Sequence, residues 1–389
     1  GINVNLQIVS CSLINGLLAN NFPDVQLYLS RTAPVNYGMR GALLDLTQFD
    51  GSNGYKSYEE VLGRYHDGAA DPYWYNGSLY AIPDSQGFMC MFYRTDVFED
   101  LGLTVPETWE EFLYCATIIQ RYNMDVYVPY TQITTATTVD AGIGALHLYP
   151  TLLMQNGLEL YNKERNATNI NNVRSIQIFE EWTEMYTDYG YQKQADFYNR
   201  LRNGSMPLGI SGYSTYFTLY SAAPEIDGRW AIANVPGTHI AEDCTVPNCH
   251  NEDHINRLTA GSGSGAGIVA KSPRPDKAWA FLEWWTSADI QTRYSNNVES
   301  ILGLLGRSAT ANVEAFNRLG WDPEHLEALN KQWEHVYEVP EVPGSYYTTR
   351  AVDQAYWSVI NDGINAKDAI NKWSLIADNE IKRKIEEYS

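Results

Sequence analysis

The hydrophobic period of the chain changes twice within its first thirty residues, and this constrains the fold more than any other feature. Ile2-Asn3-Val4-Asn5-Leu6-Gln7-Ile8-Val9 alternates as a strand does, Leu13 to Ala19 carries helical spacing, and Val25 to Leu29, after Pro23-Asp24, reads as strand again. That βαβ rhythm predicts an α/β layer. A further strand, Phe88 to Tyr93, leads into Thr95 to Gly102, where Thr95 or Asp96 can cap a short helix and Gly102 can end it. The next helix begins near Thr108-Trp109-Glu110-Glu111-Phe112, with Pro106 just upstream and acids in its first turn.

With 389 residues and 44% apolar content the chain can bury more than one core. Single cores stop growing near roughly 250 to 300 residues, so two domains are expected. The formal charge of -20 repels phosphate backbones and anionic lipid heads, which argues against nucleic acid and membrane surfaces as partners. No apolar run approaches the ~18 to 20 residues of a membrane span. Residues 1 to 20 lack a signal-peptide pattern, and the chain opens in mid-pattern, as if trimmed at its start. The 28 tyrosines against 11 phenylalanines suit a ligand that presents both apolar faces and hydroxyls, with half-buried strands as the plainer reading.

From Val173 to Tyr189 the stripe Ile176, Phe179, Trp182, Met185 and Tyr186 has the spacing of a core face. The run Gly261 to Gly267 lacks the Lys-Ser/Thr of a phosphate loop and precedes the strand-like Ile268-Val269-Ala270, so it is read as a crossover between domains. After Asn312 the pattern is mostly helical, broken by Glu338-Val339-Pro340-Glu341-Val342-Pro343-Gly344, an extended turn before a helix near Arg350. His-Glu-x-x-His, Gly-x-Ser-x-Gly and the Walker loop are absent. Cys244, Cys249, His250 and His254 have zinc-ligand chemistry, but the adjacency of Cys249 and His250 leaves no room for the usual knuckle or helix. Cys11, Cys90 and Cys115 stand singly in apolar surroundings and read as inert buried thiols.

An ordered series of segments then resembles the extracellular solute-binding proteins, the family that includes maltose-binding protein. It runs through Phe22-Pro23-Asp24-Val25, Gly41-Ala42-Leu43-Leu44-Asp45-Leu46, Tyr80-Ala81-Ile82-Pro83 and Tyr93-Arg94-Thr95-Asp96-Val97-Phe98. Pro106 and Thr108-Trp109-Glu110-Glu111-Phe112 follow, then Asn203 to Gly212 and Lys277 to Ser287. The resemblance implies a periplasmic-binding-protein-like α/β fold of two lobes joined by crossing hinge strands. Its N-lobe would be 1–92 and 262–311 and its C-lobe 93–261 and 312–389, with the family's first strand and helix missing ahead of Ile2 and a hinge near Met91–Tyr93 and Ser262–Gly267.

The function implied is that of an extracytoplasmic, non-catalytic receptor without cofactor or metal. It would act as a monomer, membrane-anchored at the cell surface or free in a periplasm. Closing on a carbohydrate, an oligosaccharide, it would deliver it to the permease of an ABC transporter. The alternatives are a carbohydrate-active enzyme using a carboxylate pair, or a receptor for a peptide or polyol. In an oxidising exterior, Cys244 and Cys249 are expected to close a small disulfide loop.

The ligand residues implied begin with Tyr28, which follows the Pro-Asp strand, and Arg31 behind it; Tyr28 reads equally as a packed strand residue. Asp84 and Gln86 lie between Pro83 and the hinge strand, where a solvated turn competes. Tyr149 is preferred to His147 as an aromatic platform. Tyr213 and Tyr216 flank Ser214, which stands where the relative has a sugar-stacking Trp. Tyr347 and Arg350 close the set, Arg350 being suited to a hydroxyl cluster, a ligand carboxylate or a neighbouring acid.

Overall fold

The computed structural model describes residues 2–8, 13–52, 54–131, 148–240 and 253–388. Besides two short two-stranded ribbons, Trp74–Tyr75 with Ser78–Leu79 and Thr238–His239 with Ile255–Asn256, the strands of the two larger sheets and the pair beside them are, in chain order, β1 (Val25–Ser30), β2 (Ile82–Gly87), β3 (Met89–Arg94), β4 (Val126–Tyr127), β5 (Leu208–Gly212), β6 (Trp230–Ala233), β7 (Thr259–Ala260), β8 (Ser262–Ile268) and β9 (Val336–Tyr337). One sheet has the order β1-β8-β2 and the other β4-β5-β3-β6. The pair β7 and β9 runs parallel between them.

The glycines of β8 have a packing reason. A Cβ on Gly263 would meet the Ser85 carbonyl oxygen at 2.7 Å, and one on Gly265 would meet Ala81 Cβ at 2.9 Å and Tyr73 Cζ at 3.0 Å. The Gly/Ser run expected as a crossover is therefore the middle strand of the first sheet, antiparallel to both β1 and β2. Only bare backbone allows the neighbours to approach so closely. The chain passes from the first sheet to the second at Phe88, and returns at Gly261. Ser85 also bridges Thr310, a third contact at this junction.

Each sheet has its own core. Phe49 stacks on Trp279 at 4.7 Å beneath the first, with Leu46, Val61, Ile82, Ala266, Ile268 and Leu282. β3 is covered on both faces, as its near-continuous apolar sequence requires. Met89 and Met91 join Phe112, Ile119, Trp182, Leu208 and Tyr356 on one side; Phe88, Cys90 and Phe92 join Phe197, Trp230, Phe316 and Trp333 on the other.

Helix ends follow the local chemistry. The helix Thr95–Leu101 stops at Gly102, whose φ of 64° is in the left-handed region, while Asp96 forms a two-bonded pair with Arg94 instead of capping. The helix Trp109–Arg121 starts with a reciprocal capping box between Thr108 and Glu111. The helix expected near Arg350 begins at Tyr346.

The alternating segment at the start is not a strand: residues 2–8 make no ladder and are exposed, because no neighbouring strand satisfies their backbone. Cys90 and Cys115 are buried free thiols. Cys11, His147, Cys244, Cys249 and His250 lie outside the described residues.

Candidate functional site: a buried polar junction between the sheets

Where the chain crosses between sheets, polar side chains replace apolar ones. Asp84 on β2 is buried and accepts hydrogen bonds from the Ser264 hydroxyl at 2.5 Å and the Tyr28 backbone N–H at 2.8 Å. Tyr28 adopts a φ of 53°, which breaks the register of β1 and turns that N–H toward Asp84. Two residues along β2, Gln86 donates to Glu338 at 3.1 Å and accepts from the Trp333 indole at 2.8 Å. The ladder with β8 shifts register at Asp84, an irregularity that lets Asp84 and Ser85 both reach the Ser264 hydroxyl while Gln86 turns to Glu338.

The segment after β9 supplies the other wall. Glu338 and Glu341 are both buried, and Glu341 forms an ion pair with the buried Arg31. The Gly344 N–H donates to the Asn36 side chain at 3.1 Å, tying this turn to the helix Ala33–Met39 of the first sheet's layer. The two prolines hold the segment extended, so acids three apart both reach the junction.

Burial sets the electrostatics. It pushes the Glu338 carboxyl up to about 7, against Arg31 and the Gln86 hydrogen bond. It pushes Asp84 up to about 6 against the bonds from Ser264 and Tyr28, and Asp71 up to about 6 against Arg165. The Tyr73 hydroxyl is raised by burial and by the nearby Glu338 and Asp84. Arg31 is lowered by burial, which Tyr161, Glu338 and Tyr73 partly offset.

Several of these groups lack hydrogen-bond partners among the described residues: the Tyr73 hydroxyl, Glu338 Oε2, Glu341 Oε2 and the Ser345 hydroxyl. A buried polar group left unpaired costs about 1–3 kcal/mol, so a cluster of them favours a guest that supplies donors and acceptors.

Four of the sequence-predicted residues meet here: Tyr28, Arg31, Asp84 and Gln86. Tyr28 is 41% exposed at the rim, and the other three are buried. The remaining five lie elsewhere. Tyr149 is in the core, its hydroxyl donating to the Ser175 carbonyl at 2.7 Å. Tyr213 stacks on Phe88 at 4.7 Å, and Tyr216 packs between Trp230 and Trp321. Tyr347 lies against Tyr346, and Arg350 is exposed on the same helix.

Tyr73, Trp333, Glu338, Glu341 and Ser345 escaped the sequence reading. The available signal was two acids in a Val- and Pro-rich run, an unusual place for charge unless it is buried for a purpose.

A separate open groove of about 620 Å³ is lined by Glu107, Asp253, Arg257, Glu327 and Lys331, among others. Both its cations are paired within it, Arg257 with Glu107 and Asp253, and Lys331 with Glu327. It is a solvated surface. Among the described residues no cluster of His, Cys, Asp or Glu is placed to hold a metal, and no helix is long and apolar enough to cross a membrane.

Residues 14–316 match the bacterial extracellular solute-binding protein family. The chain belongs to that family. This solute-binding protein is 21% identical over 318 residues to a multiple sugar-binding protein of Streptococcus mutans, covering 80% of the chain and 70% of the relative. Its fold is similar to that of the sugar-binding protein MalE from Xanthomonas citri, with a TM-score of 0.72 at 17% identity over 97% of this chain and 88% of that one. It also resembles an ABC transporter solute-binding protein of Thermotoga lettingae solved with alpha-D-tagatose, with a TM-score of 0.68, 17% identity and coverage of 95% and 88%. The fold is thus the two-lobed α/β architecture of periplasmic solute-binding proteins.

Proposed function

We propose that this solute-binding protein captures a carbohydrate, an oligosaccharide, between its lobes and hands it unchanged to the permease of an ABC importer. The observation that carries the reading is the buried junction whose Tyr73 hydroxyl, Glu338 Oε2, Glu341 Oε2 and Ser345 hydroxyl lack hydrogen-bond partners among the described residues. Sugar hydroxyls both donate and accept, so one guest satisfies carboxylates and hydroxyls together. The sugar-binding relative and the sugar-bound structural neighbour support the same class.

The lobes of this proposal are 1–87 with 262–311, and 89–261 with 312–389, the boundary expected at 92 moving to Phe88 because β3 belongs to the second sheet. They pivot at Phe88, Gly261 and the strand-like contact of Thr310 with Ser85. Closure favours the ligand because only then do groups from both sides contact it. The protein acts as a monomer on the outer side of a cytoplasmic membrane, and Tyr28, Arg31, Asp84 and Gln86 contribute to the ligand site.

The test is a thermal-shift and calorimetric screen against mono- and oligosaccharides, with the sugar recovered and chromatographed. A sugar at a hundredfold its Kd stabilises the fold by about 2.7 kcal/mol and is returned intact. Cleavage of the sugar would establish an enzyme instead, and absence of any shift across the panel would overturn the carbohydrate reading.

A further inference from the structure

The junction is out of charge balance. Arg31 is taken up by Glu341, and Arg165 donates to the Trp74 carbonyl and offsets Asp71. Glu338 keeps only neutral donors, the Gln86 side chain and the Gly263 backbone N–H, with Arg31 acting on it through space, while Oε2 has no hydrogen-bond partner among the described residues. The titratable groups around it are Arg31, Asp71, Tyr73, Asp84 and Glu341, of which only Arg31 is a cation.

The strand beneath cannot supply a countercharge. A Cβ on Gly261 would lie 2.4 Å from Glu338 Oε1, and one on Gly263 would lie 3.2 Å from Glu338 Oε1 and 3.6 Å from the Tyr73 hydroxyl. The carboxylate and the unpartnered phenol therefore stand together, packed closely on bare backbone, where a group that donates to both would meet them once the lobes part. A buried carboxylate without a cation is strongly disfavoured, and a guest ammonium removes that penalty. The net charge of -20 concentrates cations near the protein and repels anions.

We propose that the captured saccharide carries a protonated amine, an amino sugar, whose ammonium is received by Glu338 beside the Tyr73 hydroxyl. This rests on the carbohydrate reading above and narrows it. A sugar bearing a carboxylate would be repelled by Glu338, which has no ion-pair partner of its own. Burial holds Glu338 at about 7 in the free protein, so it carries a proton at mildly acidic pH. The arriving ammonium ionises it, and that proton passes to solvent.

The experiment is calorimetric titration of the full chain at pH 6 in two buffers of different ionisation enthalpy. The probes are glucosamine and its α- and β-linked oligomers, their N-acetylated counterparts, and neutral gluco-oligosaccharides of matched length. The expected result is at least tenfold tighter binding of the amine series, with release approaching one proton per ligand. Glu338→Gln abolishes the preference and the proton release, and Glu338→Asp restores part of both. Proton release is read on the wild-type chain, so the result stands even where a variant folds poorly. Equal binding of neutral oligomers without proton release would overturn the amine and leave the carbohydrate receptor intact. No binding by any member of the panel would overturn both.

Discussion

Two tyrosines illustrate how the same side chain takes opposite roles. The Tyr73 hydroxyl is buried without a hydrogen-bond partner among the described residues, whereas the Tyr149 hydroxyl donates to the Ser175 carbonyl. Tyr73→Phe removes an unsatisfied group and should leave the free protein equally stable or up to ~1 kcal/mol more so, while weakening ligand binding about fivefold. Tyr149→Phe should destabilise by about 1 kcal/mol and leave affinity unchanged. Urea unfolding and ligand titration of both variants check this. A second prediction concerns pH. Because Glu338 is raised in the folded state, the folded chain keeps a proton that the unfolded chain releases. Its contribution is full below pH ~4 and is lost as pH rises through about 7. His66, His325 and His335, lowered by burial, act in the opposite direction, so the informative quantity is a difference. Glu338→Gln should match the wild type near pH 5 and exceed its stability by on the order of 2 kcal/mol at pH 8, as read from urea midpoints. None of this was legible from residue type. Tyr73 and Tyr149 look alike in sequence, and only their depth and neighbours separate them.

At the scale of elements, the local chemistry was largely readable. The Thr108 and Glu111 capping box follows from Thr-Trp-Glu-Glu, and Thr108→Ala should cost about 1 kcal/mol by chemical denaturation. β8 was not readable in the same way. Its Ser-Gly-Ser-Gly-Ala-Gly sequence has low strand propensity, and it forms the central strand because β1 and β2 pair with it from both sides. Gly263→Ala places a methyl 2.7 Å from the Ser85 carbonyl oxygen and against Glu338. It should destabilise by about 1–3 kcal/mol and weaken ligand binding, whereas Gly228→Ala, at an open turn, should spare binding; calorimetry distinguishes them. The alternating segment failed in the opposite sense over its described residues Ile2 to Ile8, for a strand-like pattern forms no strand without a neighbour to complete its hydrogen bonds.

At the scale of the molecule, contacts already span the two layers: Arg31 to Glu341, Asn36 to Gly344, and Arg165 to the Trp74 carbonyl. These hold the junction shut and compete with any opening that admits a ligand. Asn36→Ala removes one tether at the turn carrying Glu341, and it should raise the ligand association rate about two- to fivefold, as measured by stopped-flow tyrosine and tryptophan fluorescence. The paired charges of the 620 Å³ groove are remote from this equilibrium, so neutralising Glu327 there should change neither rate nor affinity.

The sequence by itself determined the α/β class, the Thr108 cap and the Gly102 stop, the core stripe at Ile176 to Tyr186 and the family, because each depends on residues near one another in the chain or on their order, whereas the expected Thr95 or Asp96 cap gave way to the Arg94 pair. Four of nine expected ligand residues, Tyr28, Arg31, Asp84 and Gln86, reach the junction because they lie on or beside the two strands that flank β8, with register shifts at Tyr28 and Asp84 that no local pattern announced. Tertiary structure alone decided that Glu338 and Glu341 join them. The contact between Gln86 and Glu338 spans 252 positions, and what makes those acids functional candidates is the loss of water around them when the two layers close.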